Sequence, residues 1–244
     1  MIPHASYLIS SFPNSLIDTI IKQTDKMRII TGLYKGRHFD IPRTFKARPT
    51  TDFAKENIFN VINGYVDLDG AMALDLFAGT GSISLELLSR GCRMVESVEL
   101  DRDHAAFIRS CMKKIGADNN VLVRGDVIRF VKSCRRKYDF IFADPPYAME
   151  QLPELPALIL SRGLLKDGGL LVFEHGKHND FSSLEGFVEH RAYGSVNFSL
   201  FRPTSGEKDV TSGEAHKQSG ETDTQSGEAA DTPTSVETPA FCGE

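Results

Sequence analysis

The feature that most constrains this chain is an alternation. Short apolar runs at residues 72–77, 94–99, 121–124 and 138–143 each precede a segment of helical character, at 82–90, 102–115, 127–134 and 154–161. A further apolar run at 170–174 closes the series. Strands joined by crossover helices pair in parallel, and a parallel sheet covered on both faces needs continuous apolar strands. The expected fold class is therefore α/β, a mostly parallel sheet with helices on both faces. The segment that follows differs. "GFVEHRAYGSVNFSLFRP" reads as two strands turning at Gly194-Ser195, which adds an antiparallel hairpin at the sheet edge.

Outside the alternation the composition changes. Residues 1–26 carry only weak amphipathic patterning and read as an extension, or as the product of a misplaced start codon. "RIITG" and "RHFDI" suggest two short strands joined across Gly32 and Gly36. Pro49-Thr50-Thr51-Asp52 then starts a helix whose apolar face is Ile58, Val61 and Ile62. Residues 204–244 repeat a seven-residue unit, from "TSGEKDV" to "QSGEAAD", with no apolar seam. That excludes a coiled coil and predicts a disordered tail. The domain reading is thus an extension at 1–26, a folded domain at 27–203 opening on a basic hairpin and "RPT" segment at 27–50, and an acidic tail at 204–244.

Charge follows the same division. The tail holds nine acids and two bases, a net −7, so the formal −5 of the 244-residue chain hides +2 over residues 1–203. Residues 22–55 carry nine bases against three acids, a local +6 that suits a polyanion or a solvated hairpin. The four cysteines, Cys92, Cys111, Cys134 and Cys242, form no CxxC pair, which argues against zinc and against a redox motif. No apolar run approaches the roughly 18 residues of a membrane span, and no basic stretch precedes the first apolar patch as a signal peptide requires. A cytoplasmic monomer with no metal and no membrane partner is expected.

In a parallel α/β sheet, ligands bind beyond the carboxyl ends of the strands, near the reversal of strand order. Four successive strand ends here carry an acid or a glycine turn. They are "DLFAGTGS" with Asp75, Phe77, Gly79 and Gly81, "ELD" with Glu99, "GD" with Asp126, and "DPPY" with Asp144, Pro145, Pro146 and Tyr147. Gly79 and Gly81 let a ligand approach the backbone. Glu99 falls 18 residues after Gly81, where an acid can accept from both hydroxyls of a ribose. A nicotinamide cofactor meets these conditions too, but Ser84 stands at the third glycine of GxGxxG and Asp75 would oppose a pyrophosphate. S-adenosylmethionine fits better, with a ribose, an adenine, two cationic groups and no phosphate. Asp126 is then placed to accept from the adenine amino group.

The prolines of "YDFIFADPPY" end a core strand, because neither has the N–H that a ladder needs. An exocyclic base amino group is a poor nucleophile, since its lone pair is delocalised into the ring. Two fixed acceptors on its N–H groups favour a pyramidal nitrogen with the lone pair free. Asp144 supplies one acceptor and a carbonyl of the Pro145-Pro146 turn the other, while Tyr147 offers a face for stacking. A base reaches such a pocket only by leaving its helix.

Taken together, "DLFAGTG", "VELD" and "DPPY" resemble the amino-directed class I methyltransferases that modify adenine N6 or guanine N2. "MRIITGLYKGRHFDIP" followed by "RPTTDFAKENIFNVI", with "YGSVNFSLF" at the end, is similar to the RsmD family over residues 27–203. The resemblance implies a Rossmann-like class I methyltransferase fold. Its sheet is seven-stranded and mostly parallel with an antiparallel C-terminal strand, and a small N-terminal β-hairpin precedes it. The implied reaction moves a methyl group from S-adenosylmethionine to N2 of one guanine, of the guanine-966 type, in 16S ribosomal RNA. S-adenosylhomocysteine is the implied product, and the partner is 16S rRNA, alone or within the small ribosomal subunit. Carried over residue by residue, the cofactor loop falls on residues 75–81, the ribose acid on Glu99, the adenine contact on Asp126 and the catalytic turn on Asp144, Pro145, Pro146 and Tyr147. Arg28, Arg37, Arg48 and Thr50 match motifs that hold RNA and shape the pocket. The chain departs from the family at Cys111, where Asn is common, and at Lys55, where Arg is usual and an RNA contact could change. "DPPY" alone is shared with DNA adenine methyltransferases, so adenine N6 of DNA or RNA is the alternative, and a nicotinamide-dependent oxidoreductase the distant one.

Overall fold

The structure, a computed structural model, describes residues 26–45 and 51–203. The expectations for residues 1–25, for Arg48 and Thr50 and for the tail from residue 204 lie outside the described residues. Strands β1 (Lys26–Arg28) and β2 (His38–Asp40) pair antiparallel and precede helix α1 (Asp52–Ile62). The alternation then runs β3 (Met72–Leu76), α2 (Ser82–Ser89), β4 (Met94–Glu99), α3 (Arg102–Ile115), β5 (Asn120–Arg124), α4 (Val127–Ser133) and β6 (Tyr138–Ala143). A single 3-10 turn leads into α5 (Leu155–Ser161), and β7 (Leu165–His175), β8 (Phe187–Tyr193) and β9 (Val196–Phe201) complete the sheet.

The seven-stranded sheet has the order β5-β4-β3-β6-β7-β9-β8. Pairings from β5 through β7 are parallel, and β9 runs antiparallel to both β7 and β8. The chain winds outward from β3 to β5 and then returns to the other side of β3. Strand order therefore reverses between β3 and β6, and the crevice at their carboxyl ends is where a ligand site is expected. The sheet separates two cores by the period of two. Ala73, Phe140, Phe142 and Val172 face one, while Leu74, Leu76, Ile141 and Phe173 face the other. Helix α2, which follows the glycine loop, is buried along its whole length. Among the described residues, no helix is long and apolar enough to cross a membrane.

Two elements differ from the sequence reading, each for a local reason. Strand β7 begins at Leu165, not at residue 170. Asp167-Gly168-Gly169 looks like a break, but Tyr138 pairs with Leu165 and Phe140 with Leu170, so the additional residues bulge out of a continued ladder. The front hairpin is shorter than "RIITG" and "RHFDI" suggest, because its backbone is drawn away. The N–H groups of Ile30 and Thr31 donate to Glu86 Oε2 and Oε1 at 2.7 and 3.0 Å, and Leu33 N–H donates to the Ser89 carbonyl at 2.7 Å. Gly32 makes this approach possible, since a Cβ there would lie 1.7 Å from the Ser89 carbonyl oxygen.

Lys55 completes this anchor, and its role corrects the expectation of an RNA contact. It is only 1% exposed. Its Nζ donates to the Arg28 carbonyl at 2.5 Å and to Ser82 Oγ at 3.0 Å, and lies 4.0 Å from Glu86. Burial lowers its pKa, and the Glu86 carboxylate opposes that shift. Arg90 closes the cluster on Glu86 at 2.9 Å. Cys111, the other departure from the family pattern, is buried on the inner face of α3. Glu86→Ala leaves a buried cation and two backbone donors without their acceptor. Urea unfolding should show a loss of about 3–5 kcal/mol, and a loss below about 1 kcal/mol would contradict the anchor.

Candidate active site

The carboxyl ends of β3, β4, β6 and β7 open into a cavity of about 1080 Å³. Asp75, Phe77, Gly79, Glu99 and Asp126 line it, as do all four residues of the "DPPY" turn. Gly81, Arg28 and Arg37 are not on its wall. Register explains why the acids converge. Asp75 pairs with Ser97 on one side and with Phe142 on the other, so Asp75, Glu99 and Asp144 share one face of the sheet. Ala143 pairs with Phe173, which sets Glu174 beside Asp144 on that same face.

The glycine loop is tied down from below. Glu99 Oε2 accepts from Gly79 N–H at 2.6 Å and Oε1 from Asp101 N–H at 2.8 Å, bridging the first two strand ends. Phe77 takes φ 65°, a left-handed conformation that costs energy without a glycine. Gly81 caps α2 at φ 78°, and a Cβ there would meet Ile108 at 2.9 Å. Its role is thus to seat α2 on α3, where the sequence reading expected ligand approach. Asp75 is buried beneath the loop and accepts from the Ser84 hydroxyl, which also lies 2.7 Å from Ser97 Oγ. Burial pushes its carboxyl up to about 7, although the Ser84 bond opposes this. Ser84, which breaks the dinucleotide pattern in the sequence, is therefore the partner of that acid. Asp126 caps α4 by accepting from Arg129 N–H at 2.8 Å with one oxygen.

The Asp-Pro-Pro-Tyr turn is equally fixed. Asp144 N–H donates to the Leu76 carbonyl at 3.3 Å, and the Pro146 carbonyl accepts from Met149 N–H at 2.8 Å. Tyr147 is 53% exposed at the rim, and its hydroxyl donates to Glu174 Oε1 at 3.1 Å. Glu174 is a wall residue that the sequence reading missed, 6% exposed, with Oε2 buried and without a hydrogen-bond partner. The signal was present, since the apolar run at 170–174 also ends on an acid. Burial raises the carboxyls of both Asp144 and Glu174 well above the ordinary range, and for Glu174 the charge of Asp144 adds to this.

This donor set suits a cation. A bound cation favours the ionised form of these crowded, buried carboxyls, and a pyrophosphate would oppose it. Among the described residues, no group of three or more His, Cys, Asp and Glu could hold a metal ion. The front segment also reaches the site. Phe45 packs on His104 with ring centroids 4.3 Å apart, and His104 lines the cavity. Arg28 bonds Asp52 at 2.9 Å at the surface, and Arg37 is exposed.

The acid pair generates a titration test. Asp144→Asn removes the neighbouring charge, so the pKa of Glu174 should fall while burial keeps it above the ordinary value. Infrared or carbon-13 NMR titration reads this directly, and an unmoved Glu174 would show that the two carboxyls do not interact.

Known proteins are similar to this chain in sequence and fold. A family model described as conserved hypothetical protein 95 matches residues 27–202. YlbH of Bacillus subtilis (strain 168), which its name places provisionally among rRNA methyltransferases, is 33% identical over 185 residues, 72% of this chain and 98% of that one. The ribosomal RNA small subunit methyltransferase D of Escherichia coli (strain K12) is 29% identical over 188 residues, 75% of this chain and 94% of its own. The solved structure of yhhF from Escherichia coli superposes with a TM-score of 0.65 at 27% identity, covering 73% of this chain and 98% of that one. The chain belongs to this family, the RsmD family, and has the class I methyltransferase fold.

Proposed function

We propose that this protein transfers a methyl group from S-adenosylmethionine to the exocyclic N2 of a guanine in 16S rRNA of the small ribosomal subunit. The observation that carries the reading is the Asp-Pro-Pro-Tyr turn held over a cavity whose wall is rich in carboxylates. Family membership and the names of the relatives support rRNA as the substrate. The finer target, guanine 966, rests on the family resemblance. The catalytic unit in this reading is residues 27–203, with residues 1–26 and 204–244 as appendages. Supporting the choice of RNA, the basic front segment contacts the cavity wall through Phe45 on His104.

S-adenosylmethionine, when bound, supplies an electrophilic methyl on a sulfonium and leaves as the neutral thioether S-adenosylhomocysteine. Gly79 and Phe77 shape the loop on which its amino acid end would rest. Glu99 has lone pairs left for a ribose, and Asp126 has one carboxylate oxygen beyond its cap. Asp144 accepts one N–H of the target amino group. The Pro146 carbonyl is already engaged by Met149, so the second acceptor falls to the Pro145 carbonyl. Held by these two acceptors, the nitrogen would keep its lone pair free for the methyl that S-adenosylmethionine would supply, and Asp144 would take the proton that the nitrogen releases. Tyr147 stacks on the flipped base from the rim.

Asp144 is a strong acceptor, and can take the released proton, only when ionised, and its pKa is raised, so kcat should climb as pH rises through neutrality and fall on the acid side. Asp144→Ala should lower kcat at least about a hundredfold while calorimetry finds S-adenosylmethionine binding within about twofold of the parent, because in this reading Asp144 contacts the target base and not the cofactor. Equal loss of binding and turnover would make Asp144 a structural residue.

A further inference from the structure

One acceptor in the cavity has no task in the reaction as described. Glu174 lies at the carboxyl end of β7, buried, on the cavity wall. Its Oε1 is held by the Tyr147 hydroxyl, and its Oε2 is buried with no hydrogen-bond partner. A buried acceptor left in that state is unfavourable unless a ligand brings a donor. The β6–β7 register sets Glu174 beside Asp144, whose carboxylate receives the amino group.

We propose that Glu174 determines which base is methylated, by accepting the N1–H of guanine while Asp144 accepts from N2. The inference rests on the guanine-N2 reading above. Guanine presents N1–H and the N2 amino group side by side, a row of donors. Adenine presents its N6 amino group beside a bare N1, which is an acceptor. Two adjoining carboxylates complement the first pattern and oppose the second, because an acceptor facing a buried carboxylate loses a hydrogen bond and gains repulsion. Tyr147 holds the reader in place through Oε1, so stacking and base reading share one side-chain pair. The same donors favour the ionised form of both acids, against the burial that raises their pKa values.

The test replaces the target guanine with 2-aminopurine, which keeps the 2-amino group but has an acceptor at N1 and no N1–H. Methyl transfer from labelled S-adenosylmethionine is measured on both RNAs, naked or in reconstituted small subunits, whichever the wild-type enzyme methylates. Wild type should prefer guanine in kcat/KM by roughly tenfold to a hundredfold. Glu174→Gln, whose amide can turn either an acceptor or a donor to the base, should bring that ratio near one with S-adenosylmethionine affinity unchanged. Tyr147→Phe, which keeps the stacking ring and releases Glu174 Oε1, should lower the preference for guanine. Equal use of both RNAs by the wild type overturns the inference and needs no variant. An E174Q variant that slows both RNAs alike, with the ratio intact, also overturns it by reducing Glu174 to a support for Tyr147. If wild type methylates no guanine RNA, the guanine-N2 reading falls and takes this inference with it.

Discussion

Everything in the site depends on one register. Ala143 stands opposite Phe173, and Leu76 opposite Ala143, so the next residues of adjoining strands emerge at the same height. Because a strand alternates faces at every residue, a slip of one would send Asp144 into the opposite core and Glu174 away from it. The register is held by apolar side chains buried on both faces, from Phe140 and Phe142 on one side to Ile141 and Phe173 on the other. Packing deep in the sheet therefore fixes the spacing of carboxylates at its rim. That spacing in turn decides which protons the rim can accept.

Holding acids together without water is costly, and the fold offsets the cost unevenly. Glu86 is fully buried yet receives two backbone N–H groups and two cations. Glu99 is matched by two backbone donors. Asp75 has a serine hydroxyl. Glu174 has a single tyrosine hydroxyl and an idle oxygen. The graded satisfaction separates acids that build the molecule from acids that wait for a ligand. A buried group left partly unsatisfied in an otherwise well-bonded cluster is stored binding energy, released when substrate supplies the missing donors.

Much of this was legible in the sequence because the signals are local. Continuous apolar runs and intervening helical segments predicted the parallel sheet, and the acid or glycine after each run predicted which end would carry the site. Asp144, Glu99 and Asp126 needed no tertiary information. What escaped reading depends on contacts between distant segments. Lys55 looks like a surface base on a helix, and only the approach of Glu86 and the Arg28 carbonyl makes it a core residue. Gly81 looks like a ligand loop residue, and only the proximity of Ile108 shows what it packs against. The hairpin strands end early because Glu86 competes for their N–H groups, a competitor 55 or more residues away in sequence. Glu174 is different. It follows the strand-end rule and was missed by stopping at the fourth strand.

The central claim is that this arrangement acts on the amino group of one guanine in ribosomal RNA. Mass spectrometry of nucleosides and of mapped 16S rRNA fragments from a gene-deletion strain tests it most directly. The account predicts that N2-methylguanosine disappears at one site of 16S rRNA and returns when the gene is restored. Unchanged N2-methylguanosine with loss of N6-methyladenosine would contradict it, placing the same turn on adenine.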